Sequence, residues 1–170
     1  MLTFQEFLHE KYGTGGTYAA MKFDSRSEGR IARYMLDNKI PNPLDPHKLH
    51  VTLLYSRKYM EGFKARGLLE RPMAVTVAGF DVWDTQDKQR ALVARLHAPE
   101  LVSRHKELMD KYKGTYDFPD YKPHFTLSYN VGTEFDTSAL HPFNDTLNLA
   151  TEYGEDLNTD WNKTADKDAD

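Results

Sequence analysis

The sequence predicts an α+β fold in which two duplicated lobes meet at a central cleft. Two stretches of the chain carry this prediction: Leu49–Ser56 reads L-H-V-T-L-L-Y-S, and Pro123–Asn130 reads P-H-F-T-L-S-Y-N. Both are rich in the β-branched and aromatic residues that strands favour. In each case a helical pattern and a loop come before the strand. We therefore expect two pseudo-symmetric antiparallel-sheet lobes with their helices on the outside.

Each of the two stretches puts polar side chains on one face of its strand. Side chains alternate along a strand, so residues two apart share a face at a separation of roughly 6.5–7 Å. His50 and Thr52 therefore point the same way, and His124 and Thr126 repeat the arrangement. Such a polar face is costly to bury unless something polar occupies it. The two His-x-Thr faces are expected to line the cleft from opposite sides.

The elements of the first lobe follow from capping and periodicity. A capping box with helical spacing of apolar residues predicts a short helix over residues 4–12. Thr17–Phe23 is predicted as a strand. A second capping box, Ser25-x-x-Glu28, opens a helix that extends to about Asn38. Three prolines between residues 41 and 46 then enforce an extended loop, which leads into the first His-x-Thr strand.

The second lobe begins with a predicted hairpin. Residues 57–72 fit either a short helix or a loop, with Met60 and Phe63 packed inward. Met73–Trp83 alternates as a strand, and Gly79 marks a β-bulge within it. Gln89–His97 is predicted as the returning strand.

A helix, a loop and a final strand complete the pattern. Pro99 suits the first turn of a helix that runs to about Lys113. The Tyr- and Pro-rich loop Tyr116–Pro123 leads into the second His-x-Thr strand. Thr146–Tyr153 is predicted either as a last strand or as a flap over the cleft. Residues 1–157 are thus expected to form one domain, and the polar residues 158–170 a flexible acidic tail.

Composition narrows the classes of protein that fit. The chain has 170 residues, 39% of them hydrophobic, no cysteine and a net charge of −4. The sequence shows neither a signal peptide nor a membrane span, and the lack of cysteine suits a reducing cytoplasm. The acidic balance disfavours a long nucleic acid as partner, although a small nucleotide can bind in a local basic pocket.

Two histidines and two threonines suit in-line cleavage of a phosphodiester. Imidazole titrates near pH 6.5, so one histidine can be neutral while the other is protonated. One would take the proton of a ribose 2′-hydroxyl, and the other would protonate the departing 5′-oxygen. The hydroxyls of Thr52 and Thr126 would hold the non-bridging phosphate oxygens, where negative charge develops.

A metal site is the competing interpretation of these histidines. Catalytic zinc generally takes three protein ligands, whereas the partners of His50 and His124 are threonines, which are poor ligands. The other histidines show no ligand spacing, and His105 is predicted as a core or boundary residue on its helix. We therefore expect no metal and no cofactor.

The paired motifs resemble the two-histidine (2H) phosphoesterase superfamily over roughly residues 15–155. Ile40–Ser56 and Tyr116–Tyr129 are more narrowly similar to small phage members of the T4 type. Those are anti-CBASS proteins, which degrade the cyclic di- and trinucleotide alarm signals of a bacterial defence. The resemblance implies a metal-independent enzyme that opens 3′–5′ bonds of such messengers, for example 3′,3′-cGAMP, in the cytoplasm of an infected bacterium. We expect it to act as a monomer.

The same resemblance implies further substrate contacts. Aromatic residues sandwich a base in that subgroup, and an acidic residue on a C-terminal flap touches it. The matching positions are Tyr18, Trp83 and Glu152. Each also fits an ordinary structural role: a strand aromatic, a hairpin cap and a solvated charge.

Two other functions stay open at this point. A 2H enzyme can act on RNA 2′,3′-cyclic phosphate ends or on 2′–5′ linkages, because one fold supports several activities. Alternatively, the protein is a nucleotide sponge or an RNA-binding module without turnover. The sequence does not distinguish the histidine that acts as the base from the one that acts as the acid.

Overall fold

The computed structural model describes residues 15–85 and 87–157. Its helices and strands, in chain order, are β1 (Gly16–Phe23), α1 (Ser25–Asp37), β2 (His50–Ser56), β3 (Gly67–Asp84), β4 (Arg90–His97), α2 (Pro99–Lys111), β5 (His124–Ser128) and β6 (Leu147–Leu157). Single 3-10 turns at Pro46–Lys48 and Thr137–Ala139 complete the described elements. The predicted helix over 4–12 and the predicted tail 158–170 lie outside the described residues.

The strand order is β2-β1-β6-β3-β4-β5, and every neighbouring pair is antiparallel. The long strand β3 joins the two halves, because Gly67–Val75 pairs with β6 and Thr76–Asp84 pairs with β4. Each half contains three adjacent strands, β6-β1-β2 in one and β3-β4-β5 in the other, counted from the middle of the sheet outward. In each half a helix connects the middle strand to the outer one. This α+β arrangement confirms the predicted fold class and is consistent with a duplication.

The two His-x-Thr strands occupy opposite ends of the strand order, yet β2 and β5 contact each other. The array therefore curves until its ends meet. A flat sheet of the same order would leave the two strands far apart, since each strand adds about 4.8 Å.

Both predicted helices are present and bury the expected stripes. In α1, Ile31, Tyr34 and Met35 are buried at helical spacing. The cap differs from the prediction: Asp24 is the N-cap, and its carboxylate accepts from Ser27 N at 2.8 Å. Ser25, which was predicted as the cap, is instead the first residue of the helix. Aspartate and serine are equally good N-caps, so the sequence pattern does not distinguish them. No helix in the described ranges is long and apolar enough to cross a membrane.

Two strands are longer or placed differently than predicted. Residues 57–66 form a loop, with Met60 only 1% exposed, and β3 then begins at Gly67, six residues before the predicted start. This first part of β3 pairs with β6. It does not bury a regular apolar face, since Leu68 is 79% exposed, and the sequence therefore lacks the alternation that would have predicted a strand here. The predicted bulge is confirmed, since the register of β3 on β4 shifts between Val77 and Gly79. Of the two alternatives for the C-terminal segment, the strand is correct: β6 lies between β1 and β3.

Candidate active site

The two His-x-Thr faces form as the alternation predicts. His50 and Thr52 on β2 are partly exposed, and so are His124 and Thr126 on β5. The residues that alternate with them are buried: Val51, Leu53, Phe125 and Leu127. Burial of these apolar side chains holds each strand so that its polar face is turned outward, away from the core.

Both histidines are oriented by the same backbone contact. His50 Nδ1 lies 2.9 Å from the carbonyl oxygen of Lys48, and His124 Nδ1 lies 2.9 Å from that of Lys122. A carbonyl oxygen can only accept, so Nδ1 carries the proton in each ring. Nε2 is therefore the nitrogen without a proton in the neutral ring, and the hydrogen bond at Nδ1 sets this tautomer.

The two imidazoles lie within electrostatic reach of each other. The pKa of His124 is lowered, chiefly because burial disfavours the charged ring and further because of the charge on His50. The hydrogen bond to the Lys122 carbonyl opposes this by favouring the cation. The net effect keeps His124 neutral down to a lower pH than an ordinary histidine.

Loops from each lobe tie the two motif strands together. The proline-rich loop before β2 is bonded to β5: Leu44 N donates to Leu127 O at 2.8 Å, and Ser128 Oγ donates to Pro41 O at 2.6 Å. In return, Tyr121 from the loop before β5 donates its hydroxyl to the Thr52 carbonyl on β2 at 2.7 Å. These exchanges fix the relative position of the two polar faces.

Trp83 lies next to one of the two histidines, and its predicted contact with a base stays a prediction. Its indole packs edge-on against the His124 imidazole, with centroids 4.6 Å apart, and it remains 38% exposed. Trp83 also borders an open cavity of about 720 Å³, whose other lining residues include Phe80, Phe135, Asp81 and Glu134. A partly exposed aromatic ring thus lies between the His124 imidazole and this cavity.

Tyr18 also lies at the site, in an arrangement that the sequence does not reveal. Its ring is 4% exposed and stacks on Tyr55, with centroids 4.6 Å apart. Its hydroxyl is 3.3 Å from Thr52 Oγ1. The structure thus brings the hydroxyl of Tyr18 to the threonine, and the predicted stacking on a base remains a prediction.

Glu152 is not brought to the cleft. It pairs in register with Met21, whereas its neighbour Thr151 pairs with Lys22, which lies across from His50. Because side chains alternate, Glu152 faces the interior. There both of its carboxylate oxygens accept from the guanidinium of Arg104, at 2.8 and 2.9 Å, and its side chain is 0% exposed. The ion pair accounts for this carboxylate without a base contact.

Two cations that sequence reasoning missed flank the histidines. In the strand register, Lys22 lies directly across from His50, and Arg95 lies directly across from His124. Lys22 Nζ sits 5.4 Å from the Tyr153 ring centroid, and Arg95 Nε is 2.7 Å from an oxygen of Asp81. Alternation along each strand puts these cations on a known face of their own strand. To place them beside the histidines, one must also know which strands pair.

The described residues contain no group of three or more His, Cys, Asp or Glu side chains placed to hold a metal ion. The polar groups gathered here include two imidazoles, two threonine hydroxyls and two cations. This set can exchange protons with a substrate and bind phosphate oxygens.

Comparison with known proteins gives consistent matches along most of the chain. A family model described as anti-CBASS protein Acb1 matches residues 15–164. The anti-CBASS protein Acb1 of Vibrio phage KVP40 is 39% identical over 146 residues, covering 86% of this chain and 90% of that protein. The protein of the same name from Enterobacteria phage T4 is 33% identical over 163 residues, covering 95% and 97%.

Solved structures resemble the fold at much lower identity. The crystal structure of E. coli LigT complexed with phosphate superposes with a TM-score of 0.55 at 14% identity, covering 84% of this chain and 87% of LigT. A crystal structure described as a phosphoesterase gives the same TM-score at 13% identity, with 84% and 88% covered. The likeness agrees with the fold class that the paired motifs predict.

Proposed function

Because the chain belongs to the anti-CBASS protein Acb1 family, we propose that it is a metal-independent phosphodiesterase of cyclic di- and trinucleotide messengers such as 3′,3′-cGAMP. The observation that carries the proposal is the pair of imidazoles, on β2 and β5, whose Nδ1 atoms are tied in the same way. Both rings thereby present Nε2 for proton exchange next to a threonine hydroxyl.

The reaction is an attack of a ribose 2′-hydroxyl on the adjacent phosphorus. The bond from O2′ to phosphorus forms, and the bond from phosphorus to O5′ breaks. One histidine receives the 2′-hydroxyl proton, and the other donates a proton to the departing O5′. The ring opens to a linear product with a 5′-hydroxyl and a 2′,3′-cyclic phosphate. Attack of water on that phosphate, with the two roles exchanged, yields a 3′-phosphate.

The different surroundings of the two rings support an assignment of roles. A general base must be neutral before the reaction, and the lowered pKa of His124 favours its neutral form. We assign His124 as the base in the ring-opening step. His50 is then the acid that protonates the leaving O5′.

The other residues of the face suit a phosphate and a base. Thr52 and Thr126 would donate hydroxyl hydrogens to the non-bridging oxygens, where charge increases in the transition state. Lys22 and Arg95 would offset the negative charge of the phosphates. These local cations matter because the protein as a whole carries a net charge of −4 and does not attract an anion by its overall field. Trp83 would stack on a base, a contact worth about 1–3 kcal/mol.

This activity would let a phage remove the alarm signal in the cytoplasm of its infected host. The name anti-CBASS protein, which the relatives carry, supports this role. We propose that the enzyme acts as a monomer.

Incubation of the pure protein with 3′,3′-cGAMP in EDTA, followed by mass spectrometry of the products, tests the proposal. We expect a linear dinucleotide with a 2′,3′-cyclic phosphate or 3′-phosphate end. A cyclic dinucleotide lacking the 2′-hydroxyl next to the scissile phosphate should remain intact. If the protein cleaves only RNA 2′,3′-cyclic ends or 2′–5′ linkages, the proposed substrate is wrong. If it binds the cyclic dinucleotide without any turnover, it acts as a sponge.

His50→Ala and His124→Ala should each lower turnover by at least ~10², the usual contribution of a general acid or base. His141→Ala is the matched control, because His141 is exposed and lies in the loop before β6. Equal loss of activity in all three variants would point to general damage rather than to the proposed roles.

A further inference from the structure

We propose that His105 and Tyr121 are positioning residues that hold Thr52 in place for the reaction. The inference rests on the proposed function, since it assigns Thr52 to the phosphate oxygens. Both residues belong to the second half of the chain, whereas Thr52 belongs to the first. The proposal therefore makes one half of the active site depend on side chains from the other half.

The first observation is an irregularity in β2 immediately after Thr52. In the register with β1, Thr52 pairs with Ala20 and Leu54 pairs with Ala19, so Leu53 has no partner. A bulge of this kind locally disrupts the ladder and re-aims the neighbouring side chains. The Leu53 carbonyl oxygen lies 2.7 Å from His105 Nδ1 on α2, and because a carbonyl only accepts, His105 donates.

The second observation is that the preceding carbonyl is held as well. The Tyr121 hydroxyl donates to Thr52 O at 2.7 Å. The Tyr121 ring lies flat on the His105 imidazole, with centroids 4.2 Å apart and an interplanar angle of 6°. One stacked pair of rings thus binds the two successive carbonyls that follow the Thr52 Cα atom.

The environment keeps His105 in the form that this role needs. The imidazole is 9% exposed, and desolvation lowers its pKa, against the effect of its hydrogen bond to Leu53. The lowered pKa favours the neutral ring, and the contact with the Leu53 carbonyl places its proton on Nδ1. Tyr116 contacts both rings edge-on, with centroids 4.9 Å from His105 and 6.0 Å from Tyr121, and completes their packing.

The other motif strand shows what is special about this arrangement. In β5, Leu127 also lacks a partner, because Ser128 pairs with Leu92 and Thr126 pairs with Val93. Its carbonyl accepts from the backbone N–H of Leu44 at 2.8 Å. Each bulge is thus tied to the opposite half of the chain, but the Leu127 carbonyl is held by a backbone N–H, whereas the carbonyls of Thr52 and Leu53 are held by side chains, which can be substituted.

A double-mutant cycle tests whether Tyr121 acts through Thr52. Tyr121→Phe keeps the stacked ring and removes the donor to Thr52 O, so we expect kcat to fall about three- to tenfold, the size of one hydrogen bond, with KM little changed. In a Thr52→Val background the same substitution should have almost no further effect, because the group being positioned is gone. Multiplicative losses in the double variant would overturn the proposal.

Two sets of variants separate positioning from general packing. Tyr116→Phe is the matched control, since it alters a hydroxyl in the same aromatic cluster and should leave kcat unchanged. His105→Leu should lower kcat, while His105→Asn, whose amide can donate from near the Nδ1 position, should restore much of it. Equal loss in His105→Leu and His105→Asn would count against a role for the hydrogen bond.

A measurement that needs no turnover keeps this inference distinct from the proposed reaction. The Leu53 amide shares a peptide unit with Thr52 O, so loss of the Tyr121 hydroxyl should shift the Leu53 amide signal in 15N–1H spectra and leave that of Leu127 in place. An unmoved Leu53 signal would overturn the positioning role. If the signal moves but no cyclic dinucleotide is cleaved, the proposed function is wrong while the tie to Thr52 stands.

Discussion

Lys22 lies directly across β1 and β2 from His50, the same relationship that Arg95 has to His124 across β4 and β5. Directly opposed residues of an antiparallel pair share a face, with Cβ atoms about 5 Å apart. Each proposed catalytic imidazole therefore has a cation beside it on the face where we expect phosphate to bind.

The first prediction concerns Lys22. Lys22→Ala should raise KM for a cyclic dinucleotide about three- to fivefold with a smaller change in kcat, because an exposed ion contact is worth up to about 1 kcal/mol. The difference between the variant and the wild type should shrink as salt is added, since exposed charges are screened. Lys106→Ala is the control, because Lys106 is exposed on α2. An equal effect of both substitutions would indicate a general field rather than a local contact.

The second prediction concerns Trp83. Trp83→Ala should raise KM at least fivefold, because stacking on a base contributes about 1–3 kcal/mol. Trp83→Phe should retain most of the affinity, since it keeps an aromatic face. Steady-state kinetics of the two variants, with thermal melting to check folding, would measure this. If Trp83→Phe and Trp83→Ala raise KM equally, the role of Trp83 is to pack against His124 rather than to stack on a base.

The third prediction concerns Glu152. Removing one partner of a buried ion pair is strongly destabilising when the other charge is left unpaired. Arg104, whose side chain is 4% exposed, would keep only its ion pair with the partly exposed Glu107, so Glu152→Ala should destabilise the fold by up to about 3 kcal/mol, the low end of the range for breaking a buried pair. Denaturant unfolding measures the loss, and kcat and KM of the folded fraction should stay near wild type. A stable variant with a strongly raised KM would instead return Glu152 to the role of a base contact.

The fourth prediction concerns the pH dependence of activity. A general base loses activity when it is protonated. Because the pKa of His124 is lowered, kcat/KM should stay high as the pH decreases below about 6.5 and should fall only when the pH reaches that lowered pKa. An NMR titration of the His124 ring would measure that pKa directly. In His50→Ala the pKa of His124 should rise, because the positive neighbour that disfavours the imidazolium is removed. A value at or above 6.5 in the wild type would contradict the assignment of His124 as the base.

The fifth prediction concerns the pH dependence of stability. His105 and His124 both have a lowered pKa in the folded protein. The unfolded chain therefore binds more protons just below pH 6.5, and the free energy of unfolding should decrease as the pH falls through this range. Melting temperatures measured from pH 7.5 to pH 5 would show the decrease. His105→Asn should reduce the slope, because asparagine does not titrate.

Much of the site could be predicted from the order of residues alone. His50 and Thr52, repeated as His124 and Thr126, carry a local signal, since alternation along a strand puts both members of each pair on one face whatever the rest of the chain does. The helices around Ile31 and Leu101 were predicted equally well, because amphipathic periodicity is also local. The exact cap at Asp24 was missed, since several neighbouring residues can accept the same hydrogen bond.

What only the tertiary structure decided is which strands lie next to each other and which face each residue shares with its neighbours. Glu152 and Thr151 are adjacent in sequence, yet pairing with β1 turns the first inward to Arg104 and the second to the face of Lys22. Lys22, Arg95, His105 and Tyr121 came to the site through pairings between distant segments. The physical reason is that periodicity sets the direction of a side chain relative to its own strand, while register across strands depends on long-range packing that no short stretch encodes.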